Sequence, residues 1–462
     1  MLTYQDLLLE ATSDLARAEF VRRVIQQHQS SDLYRTAKIA DDYDRCRNTT
    51  TLQYQKMITD LTGRKYVDQT AAVHRSCSNF FNIFTTQENQ YLLGNGAEWK
   101  NGAGEKLGKD FDTRLQQAGE AALVGGVSFG FWNLDHLEVF KALEFAPLYD
   151  EENGALAAGV RFWQIDSSKP LRATLYELDG YTNFLWVKDD KLQISGAWAA
   201  LGNQTYMQPK RPYMLRIRES AADGAEIYDG ENYPAFPVVP LWGNPHRQSE
   251  LVGMREKIDA YDFILNGWED DLDNAQIYWI ISGAGGMDDP DLVQFLDRLR
   301  TVKAAAPAEG QSVQPVTVQV PVEARETLLQ RLEKQLYRDA MMMNPEDIAG
   351  GAATATQIRA AYERQNVKAD QFEYCVIEFI QGILRVAGID DEPTFTRSTI
   401  VNTQEEVQTV VMAASYLGSD YVTRKILTLL GDGDQAEEVL RAVDAEAGER
   451  LAAVDTGGSE SV

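Results

Sequence analysis

The sequence of 462 residues is poor in cysteine, histidine and long apolar runs, and each shortage argues against a class of protein. Its three cysteines, Cys46, Cys77 and Cys375, lie far apart without CxxC spacing. This pattern argues against a disulfide framework or a zinc knuckle and predicts reduced thiols. No window approaches the roughly 18 uncharged apolar residues of a membrane span, and the N-terminus lacks a basic stretch followed by an apolar run. We therefore expect neither membrane insertion nor secretion.

Positive charge is also scarce. There are 44 Lys and Arg residues against 70 Asp and Glu residues, which gives a formal net charge of -26. Such a negative net charge opposes tight binding of nucleic-acid phosphates and helps to keep a large protein in solution. It disfavours a nucleic-acid clamp but leaves open a conduit for nucleic acid. The hydrophobic content of 44% allows sizeable cores in several domains.

The pattern of apolar residues changes along the chain and predicts an α+β fold. The first 120 residues have helical spacing, and the segment QYLLGNG at 90–96 ends a helix. Between residues 126 and 219 short runs rich in aromatic and β-branched residues predict an antiparallel sheet. The segment YPAFPVVPLWGNP at 233–245 contains four prolines, which favour extended backbone. We interpret it as a linker.

A long helix is predicted at 249–274, with apolar residues at steps of three and four. Its other face is acidic: Glu250, Glu256, Asp259, Asp262, Glu269, Asp270, Asp271 and Asp273. Strands at 275–281 and 316–322, with a helix at 291–302 between them, predict a small α/β insertion. A second long helix follows at 325–343 and carries Arg331, Lys334 and Arg338. Two helices therefore bracket a small excursion of the chain.

The stretch MMMNPEDIAGGAATATQIRAAYERQ at 341–365 interrupts this helical pattern. Pro345 and the pair Gly350 and Gly351 predict a loop, and Thr354 with Gln357 forms a T-x-x-Q capping box that restarts a helix. That helix is expected to run to Gly388. A strand at 394–401 and helices at 403–417 and 420–430 should follow, before an acidic C-terminal tail that is expected to be disordered.

Three other features of the sequence have residue types that occur in active or binding sites. The segment GVSFG at 126–130 matches the G-x-S-x-G elbow of serine hydrolases, with Ser128 as nucleophile, although the alternative is a buried serine in a strand. The histidines His28, His74, His136 and His246 are too scattered for a metal pair. The run SGAGG at 282–286 lacks the Lys-Ser/Thr of a phosphate loop and reads as a turn. We expect no cofactor, no metal and no catalytic residue.

The order of these parts resembles the portal proteins of long-tailed bacteriophages, in the SPP1-like portal family. Four segments carry the resemblance: QYLLGNG at 90–96, PVVPLWGNPHRQSELVGMREKIDAYDFILNGWEDDLDN at 237–274, NPEDIAGGAATATQIRAAY at 344–362 and TRSTIVNTQEE at 396–406. The second and third are the most specific, because they join a proline-rich approach, an acidic helix and a P-x-D-x-x-G-G-x-x-T loop in that order.

The resemblance implies a division of the chain into named parts. These are a wing at 1–248, a first stem helix at 249–274, a clip at 275–324, a second stem helix at 325–343, a tunnel loop at 344–357, a long helix and strand returning to the wing at 358–401, a helical crown at 402–445 and an acidic tail at 446–462. The wing would combine helices with the antiparallel sheet. The stem helices would surround a central tunnel.

The resemblance also implies a function that is not enzymatic. The chain would form a dodecameric ring at one capsid vertex of the virion, assembled in the host cytoplasm, through which double-stranded DNA is packaged and later ejected. Its partners would be further copies of itself, double-stranded DNA, the terminase large subunit, the head-to-tail adaptor, and capsid and scaffolding proteins, with no membrane. The alternative is another virion interaction protein, such as an adaptor or scaffold.

Three groups of residues are the expected functional sites. The tunnel loop would be Asn344, Pro345, Glu346, Asp347, Ile348, Gly350, Gly351 and Thr354, reaching towards the passing DNA. The acidic stem helix would supply Glu256, Asp259, Asp262, Glu269, Asp270 and Asp273, some of which could face DNA and lower its friction. Arg331, Lys334 and Arg338 would pair with the acidic helix of a neighbouring subunit or touch DNA, and we favour pairing.

Overall fold

The computed structural model describes residues 2–59, 63–68, 73–188, 198–220, 226–273, 277–282, 312–317, 322–344, 355–398, 403–414, 416, 418–430 and 439–442. Helices and strands both contribute to it, and the fold class is α+β, as the sequence predicts. Among the helices of these residues, none is long and apolar enough to cross a membrane.

The helices follow the predicted order and begin at sequence signals. Thr3 forms a capping box with Asp6, while Ser13 and Ser31 accept backbone hydrogen bonds at the next two helix starts. The helices are α1 (Tyr4–Glu10), α2 (Asp14–Gln29), α3 (Asp32–Asp44), α4 (Thr49–Gln53), α5 (Phe80–Leu93), α6 (Gly104–Leu107), α7 (Phe111–Gly125), α8 (Arg255–Asp273), α9 (Val322–Asp339), α10 (Ala355–Ala387), α11 (Thr403–Ala413) and α12 (Ser419–Leu430).

The strands concentrate between α7 and α8, where the sequence predicts a sheet. They are β1 (Met57–Thr59), β2 (Lys65–Val67), β3 (Ala97–Trp99), β4 (Val127–Asn133), β5 (His136–Lys141), β6 (Phe145–Tyr149), β7 (Leu156–Trp163), β8 (Leu171–Glu177), β9 (Gly180–Trp186), β10 (Ala199–Gly202), β11 (Thr205–Met207), β12 (Met214–Ser220), β13 (Glu226–Glu231), β14 (Val238–Trp242), β15 (Ile277–Ser282), β16 (Ser312–Thr317) and β17 (Pro393–Phe395).

The larger sheet has six antiparallel strands in the order β10-β11-β9-β8-β7-β6. Helices α1 and α2 cover one side of it, where Phe20 and Val21 pack with Val160, Leu175 and Phe184 in one buried cluster. All five side chains are fully buried. Apolar residues of these strands therefore form the side of the sheet that packs against α1 and α2.

A three-stranded sheet corrects the interpretation of 233–245 as a linker. Residues Val238–Trp242 form β14, which pairs antiparallel with β4 in a sheet of order β14-β4-β5. Pro240 is tolerated because β14 is an edge strand and does not need every N–H for pairing. The segment is extended, as the prolines require, but it is part of the core: Val238 and Leu241 are buried.

Helix α10 packs against this sheet and completes the largest buried cluster. Phe372, Val376, Phe379 and Ile383 are fully buried there, together with Leu241. Gly130 in β4 is needed at the contact, because a Cβ atom at this position would lie 2.5 Å from Cζ of Phe379. The long helix is thus attached to the sheet region through a close backbone approach.

Replacing Gly130 by Ala should lower the free energy of unfolding by about 1–3 kcal/mol, because the buried Phe379 ring has no room to move. The matched control is Gly267→Ala in α8, where no atom lies within 4 Å of the added Cβ. That change should be neutral or stabilising by up to ~1 kcal/mol, since alanine is the better helix former. Denaturant unfolding of both variants measures the difference, and equal midpoints would contradict the packing argument.

Several predicted bounds are corrected by the structure. The helix predicted from residue 249 begins at Arg255, and the one predicted at 325–343 is α9, Val322–Asp339. Val322 is therefore helical and not part of a strand. The strand predicted at 394–401 ends at Phe395. The helix predicted at 291–302 and residues 318–321 lie outside the described residues.

Strands β15 and β16 form an antiparallel hairpin within one chain, with Ile277 opposite Thr317 and Ser282 opposite Ser312. The predicted α/β insertion is thus anchored by a two-stranded ladder at its base. In the sequence, β15 follows α8 and β16 precedes α9.

Candidate functional site: the α8–α9 pair and the base of the following loop

Helices α8 and α9 pack side by side and run antiparallel. Lys257 forms an ion pair with Asp339 near one end, and Arg325 forms one with Asp271 near the other. The two ion pairs lie the same number of residues apart on both helices, so a single register satisfies both. The sequence predicted the helix pair but assigned neither of these ion pairs.

The apolar faces of the pair join the N-terminal part of the chain. Leu251, Met254 and Ile258 of the α8 region are buried in one cluster with Leu336 and Ala340. Phe80 and Phe84 of α5 belong to the same cluster, and both rings contact Tyr337 edge-on. The helix pair is therefore fixed to the residues that the sequence assigned to the wing.

The acidic face of α8 is not a solvated surface along its length. Asp262 is fully buried and Asp270 is 6% exposed. Ser78 donates its N–H to Asp262 Oδ1 at 2.9 Å, and Thr51 donates its hydroxyl to Oδ2 at 3.2 Å. Burial raises the pKa of Asp262, and hydrogen bonds from Ser78, Asn48 and Thr51 oppose that effect. Asp262 and Asp270 are therefore buried within the subunit, where they accept hydrogen bonds from its own residues.

A short segment outside any helix or strand, residues 73–79, binds this face of α8; we call it the strap. Its alternate backbone N–H groups donate to three α8 side chains. His74 N–H donates to Asp270 Oδ1 at 2.7 Å, Ser76 N–H to Asn266 Oδ1 at 2.6 Å, and Ser78 N–H to Asp262 Oδ1 at 2.9 Å. Asn266 Nδ2 also donates to the Ser76 carbonyl at 2.9 Å.

These three N–H bonds between the strap and α8, which we call the strap ladder, have a spacing with a simple geometric cause. Two residues of extended chain advance about 6.6 Å, and four residues of α-helix advance about 6.0 Å. Acceptors four residues apart on α8 therefore meet every second N–H of an antiparallel extended strap. Asp262, Asn266 and Asp270 have that spacing, so the acidic pattern read from the sequence contains a binding register for backbone amides.

The remaining acidic residues of α8 have mixed surroundings. Asp259 accepts hydrogen bonds from Tyr43 and, at 2.9 Å, from Thr50 Oγ1. Glu269 accepts one from Ser76 Oγ at 3.0 Å, whereas Glu256 is exposed. Asp273 is the last residue of α8. Of the six acidic residues predicted as a site on this helix, Glu256 is the one that is exposed among the side chains that the structure describes.

Arg331, Lys334 and Arg338 are exposed and lie on one face of α9, since they are three and four residues apart. Among the described residues of this chain, no acidic side chain forms an ion pair with them. They form a basic stripe on the helix pair. Whether the stripe pairs with a neighbouring subunit stays a prediction.

The base of the following loop is well anchored. Helix α9 ends through hydrogen bonds from Met341 N–H to the Arg338 carbonyl at 3.2 Å and from Met342 N–H to the Tyr337 carbonyl at 3.0 Å. Met341 has φ 57°, the left-handed conformation that closes such a helix end. The helix thus stops at a Schellman turn before Pro345 is reached.

Beyond that turn the chain is buried before it enters the loop. Met343 packs with Tyr91, Tyr362 and Ala369, and the Tyr91 and Tyr362 rings are stacked with centroids 5.6 Å apart. Asn344 is 5% exposed, so this predicted loop residue lies at the buried base. The other predicted loop residues, Pro345, Glu346, Asp347, Ile348, Gly350, Gly351 and Thr354, lie outside the described residues.

A buried group of charges, which sequence reasoning missed, lies behind the base of this loop. Lys368 Nζ of α10 is 2.8 Å from Glu88 Oε2 of α5 and 2.7 Å from Glu250 Oε2, just before α8. It also donates to the carbonyl of Ala340, at the end of α9, at 3.3 Å. Four parts of the chain therefore meet at one ammonium group, which we call the Lys368 node.

The charges of the node are unequal, since one lysine faces two carboxyl groups. The pKa of Glu88 is raised to about 8, chiefly by burial, with Lys368 lowering it and Glu250 raising it to smaller extents. Burial alone would lower the pKa of Lys368, but Glu88 and Glu250 together raise it above its usual value. At neutral pH the node therefore holds one more proton than free side chains would.

The elevated pKa of Glu88 predicts a pH dependence of stability. A carboxyl group whose folded pKa lies above its ordinary 4.5 stabilises the fold fully at low pH, and the contribution is lost as pH rises towards about 8. The free energy of unfolding should therefore fall between about pH 5 and pH 9 by a few kcal/mol. Glu88→Gln should flatten this decline in denaturant titrations at each pH. An equally steep decline in the variant would contradict the assignment to Glu88.

The serine hydrolase alternative is not supported by the geometry. Ser128 lies inside strand β4, is fully buried and donates its hydroxyl to the Ala118 carbonyl at 2.7 Å. A nucleophile elbow instead places its serine on an exposed turn between strand and helix. In addition, no cluster of three or more potential metal ligands is found among the described side chains.

Comparison with known proteins identifies a family that matches nearly the whole chain. The family profile described as "Phage portal protein, SPP1 Gp6-like" matches residues 23–446. The portal protein of Bacillus phage SPP1 is 21% identical over 444 residues, covering 89% of this chain and 83% of that protein. The portal protein of Clostridium phage phiCD119 is 25% identical over 203 residues, covering 42% of this chain and 45% of that protein, less than half of its length.

Solved structures with detectable similarity include the neck of native and of empty gene transfer agent particles. Each is 12% identical with a TM-score of 0.41, and the matches cover 74% and 75% of this chain and 87% of those chains. The family match spans far more than half of the sequence and agrees with the resemblance read from its segments. The chain belongs to the SPP1 Gp6-like family of phage portal proteins.

Proposed function

We propose that the chain is the subunit of a closed dodecameric ring at one vertex of a phage capsid. Double-stranded DNA would pass through the centre of this ring during packaging and ejection. The terminase large subunit would dock on it first and the head-to-tail adaptor later, while capsid and scaffolding proteins would hold its outer part. The ring would assemble in the host cytoplasm and remain in the virion.

One observation carries the proposal: two antiparallel helices, α8 and α9, are joined by the hairpin β15–β16 and braced against the bulk of the chain. The brace consists of the buried cluster around Phe80 and Phe84, the strap and the Lys368 node. Such a pair can keep its position under lateral force. This supports the assignment of the pair to the stem, of 275–324 to the clip and of residues 1–248 to the wing.

The exposed charges support roles in the ring. The stripe of Arg331, Lys334 and Arg338 has no acidic partner among the described residues, and it would pair with acidic groups of the next subunit. Exposed Glu256 would be one such group. With a net charge of -26 per subunit, the channel would neutralise few phosphates and let DNA slide.

An adaptor or scaffold is the second candidate. It would share the acidity and the helices, but the α8–α9 pair with its intervening hairpin and following loop has no evident use in it. Infection with a phage that lacks the coding sequence of this chain distinguishes a portal from an adaptor. A portal deletion should leave capsids without DNA, whereas deletion of an adaptor should leave DNA packaged but tails unattached.

A further inference from the structure

Cys46 occupies an unusual position at the end of α3. Its N–H donates to the Tyr43 carbonyl at 3.0 Å, and Arg47 N–H donates to the Asp42 carbonyl at 2.8 Å, so the helix closes in a Schellman turn. Cys46 is the residue with positive φ in that turn, at 54°. Glycine or asparagine is the usual choice there, since a side chain costs stability. A cysteine at this position therefore calls for a reason other than folding.

The second cysteine lies against it. The Cys46 thiol donates to the carbonyl of Cys77 at 3.3 Å, although the two residues are 31 positions apart. Cys46 is exposed and Cys77 is partly buried, so small reagents can reach the first thiol. The third cysteine, Cys375, belongs to the cluster around α10 and takes no part in this contact.

Cys77 is the central residue between two rungs of the strap ladder. The N–H groups of Ser76 and Ser78 on either side donate to Asn266 and Asp262 of α8. Asn48, two residues after Cys46, donates to the Ser78 carbonyl at 3.1 Å. The strap therefore lies between the end of α3 and α8, and a covalent bond at Cys77 would fix it in place.

We propose that Cys46 and Cys77 form an intrachain disulfide under oxidising conditions. The bond ties the strap to the end of α3 and so holds it against α8. With oxidised glutathione, the Cys46 thiolate attacks one sulfur of the oxidant and releases one glutathione thiolate. The Cys77 thiolate then attacks the Cys46 sulfur of this mixed disulfide and releases the second. Two electrons pass from the protein thiols to the oxidant, and the two protons end on the two glutathione molecules.

The order of the two steps follows from the surroundings. Burial raises the pKa of the Cys77 thiol, with further contributions from Asp262 and Cys46, while a hydrogen bond lowers it. The exposed Cys46 is therefore the first to react, and Cys77 resolves the mixed disulfide. If the proposed function holds, the bond would be absent in the reducing cytoplasm and form once the virion reaches the medium.

The test uses the purified full-length assembly, so it does not depend on DNA packaging. Samples are treated with oxidised glutathione or with a reducing agent, then digested and analysed by mass spectrometry without reduction. We expect one linked pair of peptides, containing Cys46 and Cys77 of the same chain. The thermal midpoint should rise by several degrees on oxidation, and amide exchange at 74, 76 and 78 should slow at least tenfold.

Four variants separate the outcomes. Cys46→Ser and Cys77→Ser should each abolish the oxidation-dependent rise of the midpoint, while Cys375→Ser should retain it. Glutathione remaining on Cys46 without transfer, a link between different chains, or unchanged amide exchange in the strap would each overturn the proposal. Cys46→Gly relieves the backbone strain, so this variant should be at least as stable as the reduced natural protein. If it also lacks the oxidation-dependent rise of the midpoint, that loss is not due to unfolding.

Discussion

Replacing Lys368 by Met should lower the free energy of unfolding by about 3–5 kcal/mol, because it leaves the buried carboxyl groups of Glu88 and Glu250 without their cation. Both carboxyl groups lie within 2.8 Å of the ammonium, and the side chains of Glu88 and Lys368 are 3% and 12% exposed. Denaturant unfolding measured at neutral pH gives the loss directly.

Two further variants make this result specific to the node. Lys100 forms an ion pair with Glu392 at 3.1 Å, but both side chains are about 70% exposed. Lys100→Met should therefore change stability by less than about 0.5–1 kcal/mol. Adding Glu250→Gln to Lys368→Met should recover part of the loss, since it removes the carboxylate that is left without its cation at neutral pH. A loss at Lys368 no larger than at Lys100 would show that the node does not hold the four segments together.

Replacing Gly350 and Gly351 together by Val should leave ring assembly intact and reduce the number of DNA-filled heads at least tenfold. The reason is that glycine and the small residues around it would let the copies of this loop crowd near the ring axis, whereas Val would restrict and enlarge it. The buried Met343 and Asn344 separate the loop from the stem, so the fold of the subunit should not change.

The chain offers a matched control in the glycine pair of its acidic tail. Gly457→Val with Gly458→Val makes the same chemical change away from the predicted loop and should leave head filling normal. DNA per particle, measured on purified heads, is the readout. Normal filling in the Gly350 and Gly351 variant would contradict the assignment of this loop to the tunnel. Failure of that variant to form rings would contradict the expectation that the loop can change without altering the fold of the subunit.

The sequence predicts the elements whose signals are local. The α8–α9 pair and the restart of α10 are indicated by apolar spacing and a capping box, and they are confirmed within a few residues. The strand β14 was missed because its prolines mask a pairing that depends on β4, more than 100 residues earlier. Its edge position, which makes proline acceptable, is a property of the sheet and not of the segment.

The contacts that brace the α8–α9 pair could not be read from the sequence for the same reason. Lys368 meets Glu88 and Glu250 across long separations, and no local pattern marks one lysine as buried. The acidic face of α8 did carry a signal, because Asp262, Asn266 and Asp270 recur every four residues. Without knowledge of the strap, that pattern is indistinguishable from a solvated acidic face, and this is why the burial of Asp262 and Asp270 was not predicted.

The central claim is that copies of this chain enclose a channel for DNA, and imaging of the purified assembly by electron microscopy tests it most directly. The account predicts closed rings of cyclic symmetry, with α8 and α9 around a central hole wide enough to admit duplex DNA and the basic stripe of α9 against the next subunit. A chain that stays monomeric at high concentration over a range of salt, or rings in which α8 and α9 lie on the outer rim, would contradict it.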